Sequence, residues 1–151
     1  MTEVPRTTPE TTPEKMPEKM PENMQEGVRD AADRLMAAFS SGDEEGYFAC
    51  FHPEATFLFH GVDPIKSRAE YRALVRTWKD EHGFQVLSST SHDADVAVFG
   101  DTAVFTHGVT TSQLWDDEEA TLHERESIVF QRQPDGAWAA IHEHLSSDEP
   151  S

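Results

Sequence analysis

Glu126, in Arg125-Glu126-Ser127-Ile128-Val129-Phe130, and Glu143, in Ile141-His142-Glu143-His144-Leu145, have the residue type and the spacing for proton transfer. Each lies in a segment that alternates apolar and polar residues and reads as a strand, and Asp135-Gly136 between them reads as a two-residue hairpin turn. Such a turn pairs Phe130 with Ile141, Ile128 with Glu143 and Glu126 with Leu145, all on one face of the sheet. Ile128, Phe130, Ile141 and Leu145 are the apolar set, so this face should meet the core and line any cavity. Glu126 and Glu143 are then diagonal neighbours in apolar surroundings. Two like charges in a dry cleft do not both ionise cheaply, so one carboxyl should have a raised pKa. It would serve as general acid or base near neutral pH, as proton abstraction beside a carbonyl requires. The competing expectation is a pair of solvated glutamates at a wet cavity mouth.

The same hairpin turns Arg125, Ser127, Val129, Trp138, His142, His144 and Ser146 to the opposite face. Histidines two apart on a strand can ligate a metal together, and His107 on a neighbouring strand could add a third ligand, but nothing in the spacing demands it. A polar subunit interface is the expected role of His107, Arg125, His142 and His144, with no metal and no cofactor. His60, ending a predicted strand, and Trp78, on the core side of a predicted helix, are candidate ligand contacts at a pocket rim. Cys50, the single cysteine, lies in the aromatic run Tyr47-Phe48-Ala49-Cys50-Phe51 and reads as a buried, inert thiol; one cysteine forms no intrachain disulfide.

These residues need a frame. Residues 1–26 repeat Pro-Glu at four-residue spacing from Pro9 to Glu22, which predicts a disordered arm. Val28, Ala31, Ala32, Leu35, Met36 and Phe39 follow at helical spacing, predicting a helix over about 27–40. Asp43 caps a short second helix to about Cys50, and Ala55 to His60 reads as a strand. Ser67 opens a third helix that Gly83 ends. Strands are expected near 84–92, 95–99, 102–114, 121–133 and 137–146, with residues 148–151 disordered. Helices first and an antiparallel meander afterwards means α+β, with helices covering one face of a strongly bent sheet.

The chain has 151 residues and a net charge of -17. Residues 1–26 contribute six glutamates against Arg6, Lys15 and Lys19, so most of the acidity belongs to the folded part. An acidic surface repels phosphate backbones and anionic lipid, which argues against nucleic acid and membrane as partners. No signal peptide or membrane-spanning run is evident, and a cytoplasmic protein is expected.

Ser41-Gly42-Asp43, followed by Phe51-His52-Pro53-Glu54-Ala55-Thr56-Phe57, resembles the helix-to-first-strand passage of the nuclear transport factor 2-like superfamily. Arg125 to Phe130 and Asp135-Gly136-Ala137-Trp138, running into His142 to Ser146, are similar to the final hairpin of its SnoaL-like branch. The resemblance spans about residues 27–147 and implies a cone-shaped α+β barrel around a pocket, often in a homodimer. The superfamily's ketosteroid isomerases carry a Tyr and a general-base Asp where this chain has Leu35 and Phe59. The pocket arginines of its kinase association domains correspond to Thr110, Ile128 and Leu145. Neither apparatus is inherited, and Thr110 becomes a candidate ligand contact. The expected function is binding of a small apolar molecule, with isomerase, cyclase or dehydratase chemistry on a carbonyl compound. The alternatives are a noncatalytic homodimeric binding or assembly module and, last, a metal-dependent enzyme using His142 and His144.

Overall fold

The computed structural model describes the backbone of residues 16–149 and the side chains of residues 24–149. Among these, the element order is α1 (Met16–Ser41), α2 (Glu44–Ala49), β1 (Phe51–Phe59), α3 (Arg68–His82), β2 (Gln85–Phe99), β3 (Thr102–Trp115), β4 (Glu118–Arg132) and β5 (Trp138–Ser147). The strands form one curved, unclosed sheet in the order β1-β5-β4-β3-β2, with helices on one face. From β2 to β5 neighbours are antiparallel, but β1 runs parallel to β5. The first strand reaches the last only through the long intervening chain, and a long connection permits a parallel pair where a tight turn would not.

On α1, Val28, Ala31, Ala32, Leu35 and Ala38 recur every three or four residues and are all buried. The helix starts at Met16, well before the expected residue 27. Pro17 falls in the first turn, where its missing N–H is not needed, and Pro21 costs one helical hydrogen bond without ending the helix. The expectation of disorder for residues 1–15 lies outside the described residues. Asp43 caps α2 by accepting from the Gly46 N–H at 3.0 Å, and Ser67 caps α3 by accepting from Glu70 at 3.1 Å. Gly83 ends α3 in the left-handed conformation at φ 61°, as its sequence position predicts.

An aromatic knot joins the helices to β1. The Phe57 ring centroid lies 5.1 Å from that of Phe51 and 4.5 Å from that of Tyr71, in tilted or edge-on contact. Cys50 is half-buried beside this knot; its thiol donates to the Gly46 carbonyl at 3.4 Å, and burial raises its pKa.

One bulge and two turns set the registers. β2 runs unbroken where two strands were expected, because a bulge holding Asp93 at φ 55° absorbs the interruption. β3 and β4 extend further than expected, meeting at Asp116-Asp117, both with positive φ, in a two-residue hairpin. Between β4 and β5 the Gln133 N–H donates to the Ala137 carbonyl at 2.7 Å, so the loop is Pro134-Asp135-Gly136 rather than two residues. A bulge opposite Val129 and Phe130 then leaves Ile141 without a partner. The two departures cancel: Ile128 pairs with Glu143 and Glu126 with Leu145 as expected, while Phe130 pairs with Ala140 instead of Ile141. Trp138, expected on the outer face, is thereby turned inward and buried beneath Gly27, where an added Cβ would sit 3.1 Å from the indole nitrogen. Asp148 and Glu149, expected to be disordered, are tied to β4. The Asp148 N–H donates to the His123 carbonyl at 2.8 Å, and the Glu149 carboxylate accepts from the His123 N–H at 2.7 Å.

Candidate active site

The helices and the concave sheet face enclose a cavity of about 680 Å³. Leu35, Met36 and Phe39 of α1, Val75 of α3 and Leu145 of β5 give it apolar walls, and Trp78, Phe84 and Trp115 form an aromatic wall. The Trp78 ring lies 5.8 Å from Phe84 and 6.1 Å from Trp115, both edge-on. Such a volume suits a ligand of drug-like size.

Glu126 and Glu143 both line this space and are buried, with 7% and 4% of their surface exposed. Their places on neighbouring strands bring the two carboxyls close enough to titrate together, and two such buried groups do not both ionise cheaply. Burial pushes Glu143 well above the usual carboxylate range, and the neighbouring Glu126 charge pushes it further. Burial also raises Glu126, with the neighbouring Glu143 acting in the opposite direction. Both carboxyls are thus raised, and the pair holds a proton above the usual carboxylate range. Among the described residues, Glu143 Oε1 is the buried side-chain polar atom without a hydrogen-bond partner.

Glu126 is held from behind by His107, its direct partner across the β3–β4 ladder. His107 Nε2 lies 2.7 Å from Glu126 Oε1, and its Nδ1 lies 2.6 Å from the Ser91 hydroxyl. Beside a carboxylate, a histidine usually gains a proton, but the His107 side chain is fully enclosed and the cost of burying its cation prevails. Its pKa falls to about 4 despite the opposing pull of Glu143. The ring is thus neutral, with Nε2–H donating to Glu126 and Nδ1 accepting from Ser91.

Two further groups complete the polar lining. The Tyr47 and Tyr71 hydroxyls lie 2.9 Å apart, both buried, with their pKa values pushed well above the phenol range by burial and by Glu143. One hydroxyl donates to the other, which leaves the second hydroxyl proton available to a ligand. Glu124, two residues before Glu126 on the same face of β4, lies 2.7 Å from His60 Nε2. Glu124 is buried, whereas the His60 side chain is 47% exposed, so this pair stands toward the cavity mouth.

Of the residues singled out in the sequence, Glu126, Glu143, His60 and Trp78 all border the cavity. Leu35 and Phe59 border it too, as apolar residues. Thr110 does not: it points to the outer face, within 3.4 Å of His92 and His123, because Val109 and Thr111 take the inward positions of β3. His107, expected at a subunit surface, is instead enclosed behind Glu126 by their direct cross-strand pairing. Arg125 and His144 lie exposed on the outer face, and half-buried His142 shares a 2.8 Å hydrogen bond with Thr56. Among the described residues, no three His, Cys, Asp or Glu side chains are arranged to hold a metal ion. Sequence reasoning missed Glu124, Tyr47, Tyr71 and Ser91. Glu124 shares the strand parity of Glu126 and was legible on that ground. The tyrosines were hidden in runs of aromatic core residues, and Ser91 carries no sequence signal.

The family model of the SnoaL-like domain matches residues 28–148. Among solved structures, the chain is similar to an NTF2-like protein of unknown function in nutrient uptake from Rhodospirillum rubrum. The identity is 22%, 81% of this chain and 98% of that one are covered, and the TM-score is 0.70. An NTF2-like protein with a cystatin-like fold from Novosphingobium aromaticivorans also has 22% identity, covering 84% of this chain and 83% of that one, with a TM-score of 0.65. A ketosteroid isomerase-like protein from Erwinia carotovora atroseptica matches at 14% identity over 82% of this chain and 95% of that one, with a TM-score of 0.69. No curated protein matches the chain. With a family model spanning nearly the whole folded region and the same curved sheet in these structures, the chain belongs to the SnoaL-like domain family of the nuclear transport factor 2-like superfamily.

Proposed function

We propose that the protein is a cofactor-independent enzyme that moves a proton on a small, largely apolar carbonyl compound, as an isomerase, cyclase or dehydratase does. The observation that carries this reading is the pair of buried carboxyls, Glu126 and Glu143, lining a cavity that also presents the Tyr47 and Tyr71 hydroxyls. In the resting state Glu126 is ionised and Glu143 is protonated. A hydrogen on the carbon beside the substrate carbonyl passes as a proton to Glu143 Oε1, while the proton on the other Glu143 oxygen moves fully to Glu126. The pair ends neutral and the substrate ends as an enolate. The free hydroxyl proton of the Tyr47–Tyr71 pair supports the enolate oxygen. Returning the proton to another carbon, or to a leaving oxygen, restores the pair. His107 keeps Glu126 oriented and lowers the cost of its charge.

A thermal-shift screen of neutral carbonyl compounds supplies the ligand, since a binder raises the unfolding temperature. Glu143→Gln and Glu126→Gln are then expected to cut turnover by roughly 10²–10⁴ while leaving the fold intact. Full activity in both variants removes the pair from the mechanism.

A second reading, a noncatalytic homodimeric binding module, draws on the outer sheet face. There Leu58 is 40% exposed beside His144, and Arg125 is exposed on the same face. The two readings are compatible, since a dimer through that face leaves the cavity free. We place the protein in the cytoplasm. No described helix is long and apolar enough to cross a membrane, and the charge of -17 disfavours nucleic acid and anionic lipid.

A further inference from the structure

His60, with a half-exposed side chain, marks one side of the cavity that is open to solvent. The floor is also connected to a different part of the surface. β2 is an edge strand of the sheet, and Ser91 on it is exposed. Its hydroxyl lies 2.6 Å from His107 Nδ1; His107 Nε2 lies 2.7 Å from Glu126 Oε1; and Glu143 stands diagonally from Glu126 across the β4–β5 ladder. The middle of this line is closed to water: the His107 side chain is fully enclosed, with the Phe105 ring 4.6 Å away.

We infer that Ser91, His107, Glu126 and Glu143 form a proton path from the exposed edge of the sheet to the cavity floor, separate from the cavity mouth. Its use in turnover rests on the proton-transfer reading above, but its existence does not. Each link has one donor and one acceptor, so a proton crosses by shifting hydrogen bonds rather than by moving a molecule. Water gives a proton to the Ser91 oxygen, and the Ser91 hydroxyl proton passes to His107 Nδ1. The Nε2 proton of His107 passes in turn to Glu126. The line resets when the carboxyl pair gives a proton back: Nε2 is reprotonated from Glu126 and the Nδ1 proton leaves through Ser91. Run in reverse, the path drains a proton taken from a substrate. The pair can thus exchange protons with solvent while a ligand fills the cavity, and the hydrogen at the reacting carbon would carry solvent isotope. Ser91 and His107 act through Glu126 and are positioning and relay residues, not groups that touch the substrate.

The full chain with ¹⁵N-labelled histidine tests this without any substrate. At neutral pH, His107 is expected to carry hydrogen on Nε2 and none on Nδ1, with Nε2–H exchanging with water through Ser91. Ser91→Ala should slow that exchange by about tenfold or more, and Ser91→Thr, which keeps a hydroxyl, should restore it. Exchange that is unchanged or faster in Ser91→Ala, a Ser91→Thr variant as slow as Ser91→Ala, or an Nδ1–H tautomer of His107 would overturn the proposal. The result is independent of the enzymatic reading: inactive glutamate variants with no Ser91 effect leave the chemistry and remove the path. The reverse pattern leaves the path and removes the chemistry.

Discussion

Glu143 stands diagonally from Glu126 across the β4–β5 ladder, opposite Ile128, while Glu126 stands opposite Leu145. Diagonal placement lets the carboxyls meet over the apolar neighbours of both strands. A directly opposed pair would force two charges together with little room to share a proton. The hydrophobic wall therefore sets the protonation of the pair, and the neutral His107 selects Glu126 as the member that carries the charge.

The pair should leave a signature in the pH dependence of stability. Glu143 keeps its proton in the fold above the 4.5 of an unperturbed glutamate, so the folded state binds more protons than the unfolded one and stability falls as pH rises. Glu143→Gln removes that decline. Its stability advantage over the parent should grow from pH 4.5 upward by about 1.4 kcal/mol per pH unit, until the folded Glu143 ionises. Urea unfolding across pH 4 to 8 measures it, and a pH-independent difference would count against a raised Glu143.

His107 contributes with the opposite sign. Its pKa is 6.5 when unperturbed and about 4 in the fold, so the unfolded state takes up the extra proton between those values. The stability it supports is present above pH 6.5 and is lost as pH falls toward 4. Relative to His107→Gln, the parent should lose about 3 kcal/mol over this window. The same urea series reads it out, and a parallel pair of curves would contradict a neutral, enclosed His107.

Removing one hydroxyl of the tyrosine pair separates support of the oxyanion from structure. Tyr71→Phe keeps the aromatic knot with Phe57 and Phe51, so the cost in stability should stay near 1 kcal/mol. Loss of the donor to an enolate should lower kcat by roughly 10²–10³ with little change in KM. Equal loss of kcat and stability in every tyrosine variant would assign the pair to the core alone.

The aromatic wall offers an optical test of where ligands sit. Trp78 and Trp115 border the cavity, whereas Trp138 is packed under Gly27. An apolar dye or carbonyl compound that binds should quench or shift tryptophan emission in the parent. The response should survive Trp138→Phe and vanish in the double variant Trp78→Phe/Trp115→Phe. Its persistence in the double variant would place the ligand elsewhere.

Much of this arrangement was legible in the sequence because it depends on strand parity and capping chemistry. The caps at Asp43 and Ser67, the stop at Gly83 and the inward placement of Glu126 and Glu143 all follow from local pattern. The hairpin shows both the power and the limit of that reasoning. The loop Pro134-Asp135-Gly136 is one residue longer than the turn signal implies, and the bulge at Ile141 restores the register, so the glutamates land as expected while Trp138 does not. Bulges depend on tertiary packing rather than local residue type, which is why neither this one nor the Asp93 bulge could be read beforehand. His107 was assigned to the wrong face because its placement depends on the β3–β4 register, which the Asp116-Asp117 turn fixes and which the expected strand ends did not include. The parallel pairing of β1 with β5 has no local signal at all.

The most direct test of the central claim is a carboxyl titration by ¹³C NMR on the full chain labelled at glutamate, with Glu143→Gln and Glu126→Gln providing the assignments. At neutral pH Glu143 should still be protonated and Glu126 ionised, and each variant should shift the titration of the other carboxyl. Two independent titrations near the ordinary glutamate value, each indifferent to loss of the other, would contradict that claim.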